Sequence, residues 1–71
     1  MNVGQRIKEA RQERGVPVTT LAYRSGVAPA TIYRIESGDR APSMALLERI
    51  ARELEVEPAD LLKESALPLA G

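Results

Sequence analysis

The chain has 71 residues, the size of one small domain, and its ten Lys and Arg balance ten Asp and Glu. It contains no Cys and no His, which excludes disulfides, thiolate zinc sites and His-based catalysis. The N-terminal residues lack an apolar run, so they predict neither a signal peptide nor a membrane span. We therefore expect one soluble, cytoplasmic domain that binds no metal and no cofactor.

Charge is unevenly distributed along the chain. Residues 1–40 hold seven basic and four acidic side chains, whereas residues 41–71 hold three basic and six acidic ones. A neutral chain with this polarity can present a positive face to phosphates. In a simpler interpretation the charges only solvate helix faces, and this explains most of them individually.

The residue pattern predicts an all-α fold of five helices without strands. Asn2 can cap a first helix that ends at Gly15, a residue type suited to the left-handed backbone of a helix end. A second helix is predicted over 18–24 and a third over 29–36. Pro29 suits the first turn of the third helix, where its missing N–H is no loss.

The second half of the chain predicts two more helices. Residues 37–42 have the composition of a loop, Ser43 can cap a fourth helix, and Pro58 can open a short fifth helix. Two surface ion pairs between successive turns of the fourth helix are possible: Glu48–Arg52 and Arg49–Glu53.

With two Tyr and no Phe or Trp, the core must be aliphatic. Each core side chain contributes roughly 1.5–3 kcal/mol if fully buried. The predicted core residues are Ile7, Leu21, Val27, Ile32, Ile35, Leu47, Ile50, Leu54, Val56 and Leu61.

Residues 21–43 carry the strongest indication of function. Two short helical patterns meet at Ser25, Gly26 and Val27, and Gly26 can adopt the positive φ of a tight turn without a Cβ penalty. Ala22 is small enough to let the next helix cross close by. A helix, a short turn with Gly and a second helix form the layout of a helix-turn-helix DNA-reading unit.

Residues 21–38 fit the spacing LA-x3-GV-x4-I-x2-IE-x-G, and Pro42-Ser43 and Leu47-x2-Ile50-Ala51 follow in register. This pattern resembles the Cro and phage-repressor helix-turn-helix family, also called the xenobiotic-response-element family. The likeness covers nearly the whole chain. It implies a compact five-helix DNA-binding domain over residues 1–64, with the helix-turn-helix formed by helices two and three, followed by a short apolar tail over 65–71.

The resemblance also implies which residues read bases, because a recognition helix enters the major groove with its N-terminal residues toward the base edges. The base-facing candidates are Pro29, Ala30, Thr31 and Arg34. Arg34 can form a bidentate pair with guanine, and the other three can contact thymine methyl groups. For Arg34, a phosphate contact and a solvated charge remain as alternatives.

Phosphate contacts fix orientation without reading sequence. The candidates for such contacts are Thr19, Tyr33, Ser37, Arg40, Ser43 and Arg11. Ser43 would act with the dipole at the start of helix four. Tyr33 is equally well explained by simple exposure, and Arg40 by a free surface charge.

The family also implies an ion pair between an Arg of helix one and the Glu that closes helix three. Arg11 and Glu36 hold these positions, so we expect a partly buried pair that fixes the recognition helix. Arg11 could in addition reach a phosphate.

Three positions depart from the family pattern. Val18 replaces a frequent Gln that contacts the DNA edge, Ala28 replaces a Ser or Thr cap, and Glu55 stands where Gly or Asn often ends helix four. The base-reading surface is therefore unusually apolar, which leaves much of the polar readout to Arg34.

The function that these observations favour is a small prokaryotic or phage transcriptional regulator, a repressor that binds a two-fold double-stranded DNA operator as a homodimer. The alternative is an antitoxin or another protein-interaction module, whose protein partner would bind the acidic, Leu-bearing C-terminal part. An enzyme is disfavoured, because the chain has no His or Cys and no paired carboxylates in a plausible pocket.

Overall fold

The computed structural model describes residues 2–62 as an all-α domain. The helices are α1 (Val3–Glu13), α2 (Val18–Ser25), α3 (Pro29–Ser37), α4 (Met44–Glu53) and α5 (Pro58–Leu62). Within residues 2–62 there is no strand, and no helix there is long and apolar enough to cross a membrane. The predicted boundary at residue 64 and the tail over 65–71 lie outside the described residues and stay predictions.

Side chains cap two of the helices at the positions that the sequence predicts. The Asn2 side-chain oxygen accepts a hydrogen bond from the backbone N–H of Gln5 at 2.9 Å, and Ser43 Oγ accepts one from Leu46 at 3.1 Å. Each bond satisfies an N–H that the first turn of a helix leaves without a partner. Ala28, in contrast, begins α3 without a side-chain cap, as its departure from the family pattern predicts.

The α4 helix ends without a glycine, at the position where the sequence departs from the family. Glu55 adopts a left-handed backbone with φ 59°. A Cβ makes that conformation unfavourable by roughly 1–2 kcal/mol. Arg14, which directly follows α1, contacts this helix end: its Nε donates to the Leu54 carbonyl at 2.6 Å, and its Nη2 lies 2.8 Å from Glu55 Oε1.

One aliphatic core joins the helices. Eight of the ten predicted residues are buried, whereas Val27 and Val56 are partly buried at its margin. The core also includes Val18, Ala22 and Ala51. Val18 stands where the family often has a Gln that contacts DNA, but its side chain is only 7% exposed and packs in the core. Burial is favourable there because it removes apolar surface from water.

Candidate nucleic-acid interface

The turn between α2 and α3 is closed by backbone hydrogen bonds. Gly26 has φ 78°, and its N–H donates to Tyr23 O at 3.2 Å, while Val27 N–H donates to Ala22 O at 3.0 Å. These bonds satisfy the last carbonyls of α2, as in helix ends where a left-handed residue follows the last turn. Ala22 is fully buried. The sequence prediction of a tight helix-turn-helix is therefore confirmed.

The side chain of Arg49, from α4, lies over this turn. Its Nη1 donates to Ser25 O at 3.4 Å, and a Cβ placed on Gly26 would lie 2.9 Å from the same nitrogen. The predicted Arg49–Glu53 pair is not among the ion pairs of residues 2–62, and neither is Glu48–Arg52. Glu53 instead lies 3.9 Å from Arg24 of α2. Arg49 and Glu53 thus both contact α2 rather than each other. The spacing within α4 could not indicate these contacts.

The α3 helix presents a sharply divided surface. Ile32 and Ile35 are buried against the core, whereas the opposite face is exposed. Of the predicted base-facing residues, Pro29, Ala30 and Arg34 are exposed and Thr31 is half-buried, all on the first two turns of α3. The structure thus brings the four residues together on one helix, but whether they contact bases stays a prediction.

Two cations near this face have no side-chain partner among residues 2–62. Within residues 2–62, the side chains of Arg34 and Arg40 form no hydrogen bond and no ion pair with another described residue. Both arginines are exposed. An exposed guanidinium with all its N–H donors free can bind phosphate or a base edge without first breaking a protein contact.

A groove beside the turn gathers further predicted phosphate ligands. Arg40, Ser43 and Arg49 line it together with the turn residues, and no acidic side chain is among its lining residues. The first turn of α4 also contributes the positive end of its helix dipole. Arg49 is the one of these three that is not among the predicted phosphate ligands, because its i+4 spacing to Glu53 indicated a possible surface pair instead.

The hydroxyls of the two candidate serines differ in availability. Ser37 Oγ donates to Arg34 O at 3.1 Å, so its proton is already engaged within α3. Ser43 Oγ accepts from Leu46 N–H, which leaves its own proton free to donate. Thr19 and Tyr33 are exposed, on α2 and α3 respectively.

The predicted ion pair between α1 and α3 is present. Arg11 Nε and Nη2 lie 2.7 Å and 3.1 Å from the two carboxylate oxygens of Glu36, so the contact is bidentate. Arg11 Nη1 also donates to Val16 O at 3.1 Å. The two side chains are only 13% and 6% exposed. Because its donors face the protein, the geometry of Arg11 favours the structural role over a phosphate contact.

Known proteins share both the sequence pattern and the fold. A family model described as helix-turn-helix matches residues 7–61. The transcriptional regulator SinR of Bacillus licheniformis is 38% identical over 63 residues, which cover 87% of this chain and 57% of that protein. The immunity repressor protein of Bacillus phage phi105 is 33% identical over 67 residues, covering 94% of this chain and 46% of that one. This chain thus spans about half the length of these relatives.

A solved structure extends the likeness to three dimensions. The crystal structure of SinR, the master regulator for biofilm formation, in complex with DNA matches this fold with a TM-score of 0.78 at 37% identity. The match covers 83% of this chain and 95% of that one. Together with the closed turn and the divided surface of α3, these matches show that the chain belongs to the helix-turn-helix family of Cro and phage-repressor type.

Proposed function

We propose that this protein is a sequence-specific DNA-binding transcriptional regulator, a repressor that inserts α3 into the major groove. The observation that carries the proposal is the exposed face of α3, with Arg34 unpaired within the described residues beside the small residues Pro29 and Ala30. Small side chains let the helix backbone approach the base edges, and Arg34 can then reach guanine O6 and N7. Thr31 adds a methyl group near the same edge.

Phosphate contacts would flank this reading edge. The groove of Arg40, Ser43 and Arg49 has two guanidinium groups, a free hydroxyl proton and the start of α4. The start of α2 carries the exposed Thr19 and the backbone N–H groups of its first turn. These two anchors would fix the register of α3 without reading sequence themselves.

The relatives support DNA as the partner. SinR is named a transcriptional regulator and has been solved in complex with DNA, and the phage phi105 protein is named an immunity repressor. These names favour a repressor over the antitoxin or protein-interaction alternative. A regulator of this kind works where the chromosome lies, which for a prokaryotic cell is the cytoplasm.

A two-fold operator requires a two-fold protein, and α5 is our candidate for the dimer contact. Leu62, at its end, is half exposed although it is a large apolar residue. Burying it between two copies would remove apolar surface from water. Leu62→Glu should therefore weaken self-association in sedimentation experiments. Met44→Glu, the same change at an exposed apolar residue of α4, is the control and should leave association unchanged.

Selection of bound sites from random duplex DNA tests the proposed function. We expect a pseudo-palindromic site whose half-sites lie about 34–36 Å apart, which is one helical turn. Titration should then show binding roughly 10³-fold or more tighter to this site than to a scrambled duplex at physiological salt. If the selection enriches no sequence and all duplexes bind with equal affinity, sequence-specific regulation is contradicted. The protein-interaction module would then be the favoured function.

A further inference from the structure

One stripe of α1 contacts the end of the recognition helix. Gly4, Ile7 and Arg11 lie three and four residues apart, so they share a face of α1. Gly4 and Ile7 are buried, and Arg11 grips Glu36 at the last turn of α3. Of the three, Gly4 plays no part in the predicted core, the predicted ion pair or the predicted DNA surface.

At Gly4 the two helix backbones meet without a side chain between them. A Cβ built on Gly4 would overlap the carbonyl oxygen of Ile35 and would lie 3.0 Å from its carbonyl carbon and 3.2 Å from Glu36 Cα. All three neighbours are backbone atoms of α3, so no change of rotamer could make room for the added carbon. With any other residue at this position, the start of α1 and the end of α3 must stand further apart.

A glycine inside a helix is ordinarily less favourable than alanine, because it has more backbone freedom to lose on folding. Gly4 lies in the first turn of an eleven-residue helix and has no positive φ that would require glycine. The feature of its surroundings that a larger residue could not share is the close approach to α3. The contact falls on Ile35 and Glu36, which follow directly after Arg34 in the chain.

We propose that Gly4 is a positioning residue for DNA readout, resting on the function proposed above. By letting the α1 backbone touch the Ile35 carbonyl, Gly4 sets how far the end of α3 stands from the domain. Arg11, two turns further along α1, holds the same end of α3 through Glu36. Because Arg34 directly precedes Ile35, a displacement of this turn moves the Arg34 side chain relative to the bases.

The test compares Gly4→Ala with Ile50→Val, a control that removes one methylene from a fully buried residue of α4. Both variants are titrated with the selected operator and with a scrambled duplex, and only the folded fraction is counted. Gly4→Ala should lower the ratio of operator to scrambled affinity by roughly tenfold or more, the size of one lost bidentate base contact. Ile50→Val should leave the ratio within twofold of the unchanged protein.

Combining each change with Arg34→Ala shows whether Gly4 acts through Arg34. The loss of discrimination caused by Arg34→Ala should shrink in the Gly4→Ala background and stay full in the Ile50→Val background. A folded Gly4→Ala protein with an unchanged affinity ratio would overturn the proposal. So would a Gly4→Ala chain that stays unfolded even in trimethylamine N-oxide, because Gly4 would then serve the whole fold rather than the placement of α3.

A readout without DNA separates this proposal from the proposed function. Backbone amide resonances of Arg34, Ile35 and Glu36 in the free protein should shift in Gly4→Ala and not in Ile50→Val. If the unchanged protein prefers no sequence, the proposed function fails while the resonances still report the placement of α3. If the resonances do not move, the placement by Gly4 is refuted whatever the protein binds.

Discussion

Arg11 lies in the last turn of α1 and Arg14 directly follows that helix. Each holds the end of another helix, but they do so in different surroundings. Arg11 is 13% exposed and grips a carboxylate that is itself only 6% exposed. The side chain of Arg14 is 43% exposed, and its partner Glu55 is 71% exposed. The ion pair of Arg11 is thus shielded from water and the ion pair of Arg14 is not. The contribution of an ion pair to stability depends on its exposure to water as well as on the distance between its charged groups. Replacing Arg11 and replacing Arg14 should therefore change stability by different amounts.

The largest effect should come from the shielded pair. Arg11→Ala leaves the Glu36 carboxylate buried without a partner, which should lower the free energy of unfolding by about 3 kcal/mol. Chemical denaturation followed by circular dichroism measures this change. Glu36→Gln is the companion variant, because it removes the charge and keeps the shape. A loss below about 1 kcal/mol for Arg11→Ala would show that the pair behaves like an exposed one.

Arg34 and Arg40, whose side chains have no partner in the part of the chain that the structure describes, should affect DNA binding instead of stability. Arg34→Ala should leave the unfolding free energy nearly unchanged, cost about 1–3 kcal/mol of binding per half-site, and relax the preference at one base pair. Arg40→Ala should weaken binding to all sequences alike and lower the salt slope by about one unit. Binding isotherms on matched and mismatched duplexes at several salt concentrations measure both effects. If Arg34→Ala keeps full discrimination, the base reader is Tyr33 or the edge of Pro29, Ala30 and Thr31.

The exposed contact should contribute less than the shielded one. Arg14→Ala removes the hydrogen bond to Leu54 O and the pair with Glu55, and we expect a loss of about 1 kcal/mol. Denaturation at low and high salt separates the contribution of the ion pair from that of the hydrogen bond. Salt screens the exposed pair with Glu55 but affects the hydrogen bond to Leu54 O little. A loss equal to that of Arg11→Ala would erase the difference between the two contacts.

The smallest effect should be a gain. Glu55→Gly relieves the left-handed strain of a residue with a Cβ and gives up only an exposed pair, so we expect the protein to become more stable by about 0.5–1 kcal/mol. Glu55→Ala is the matched control, since it loses the same pair but keeps the Cβ. Thermal unfolding of both variants measures the difference. Equal stability of the Gly and Ala variants would show that the backbone at residue 55 is not strained.

Local chemistry explains which parts of the fold could be predicted. Asn2 and Ser43 cap helices because their side chains reach N–H groups only three residues away. Gly26 predicts the turn because few other residues tolerate its φ. The pair of Arg11 and Glu36 joins residues 25 apart, and it was predicted only because the chain resembles a family in which that pair is known.

The remaining contacts depend on how the helices pack. Spacing within α4 made a pair between Arg49 and Glu53 possible, but Arg49 reaches the turn after α2 and Glu53 approaches Arg24. Val18 is buried in the core, whereas the Gln that is frequent at this position in the family contacts the DNA edge. In each case the side chain contacts residues of another helix. The residue pattern within one helix does not show which side chains of the other helices will lie beside it.

The sequence by itself determined the five helices, the side-chain caps of α1 and α4, the tight turn after α2 and most of the core, because each depends on a residue type and its near neighbours. Only the tertiary structure decided that Arg14 would hold the strained end of α4 and that Gly4 would meet the backbone of α3. Both contacts join residues more than thirty positions apart. The atoms of each contact come close enough to interact only after the helices have packed.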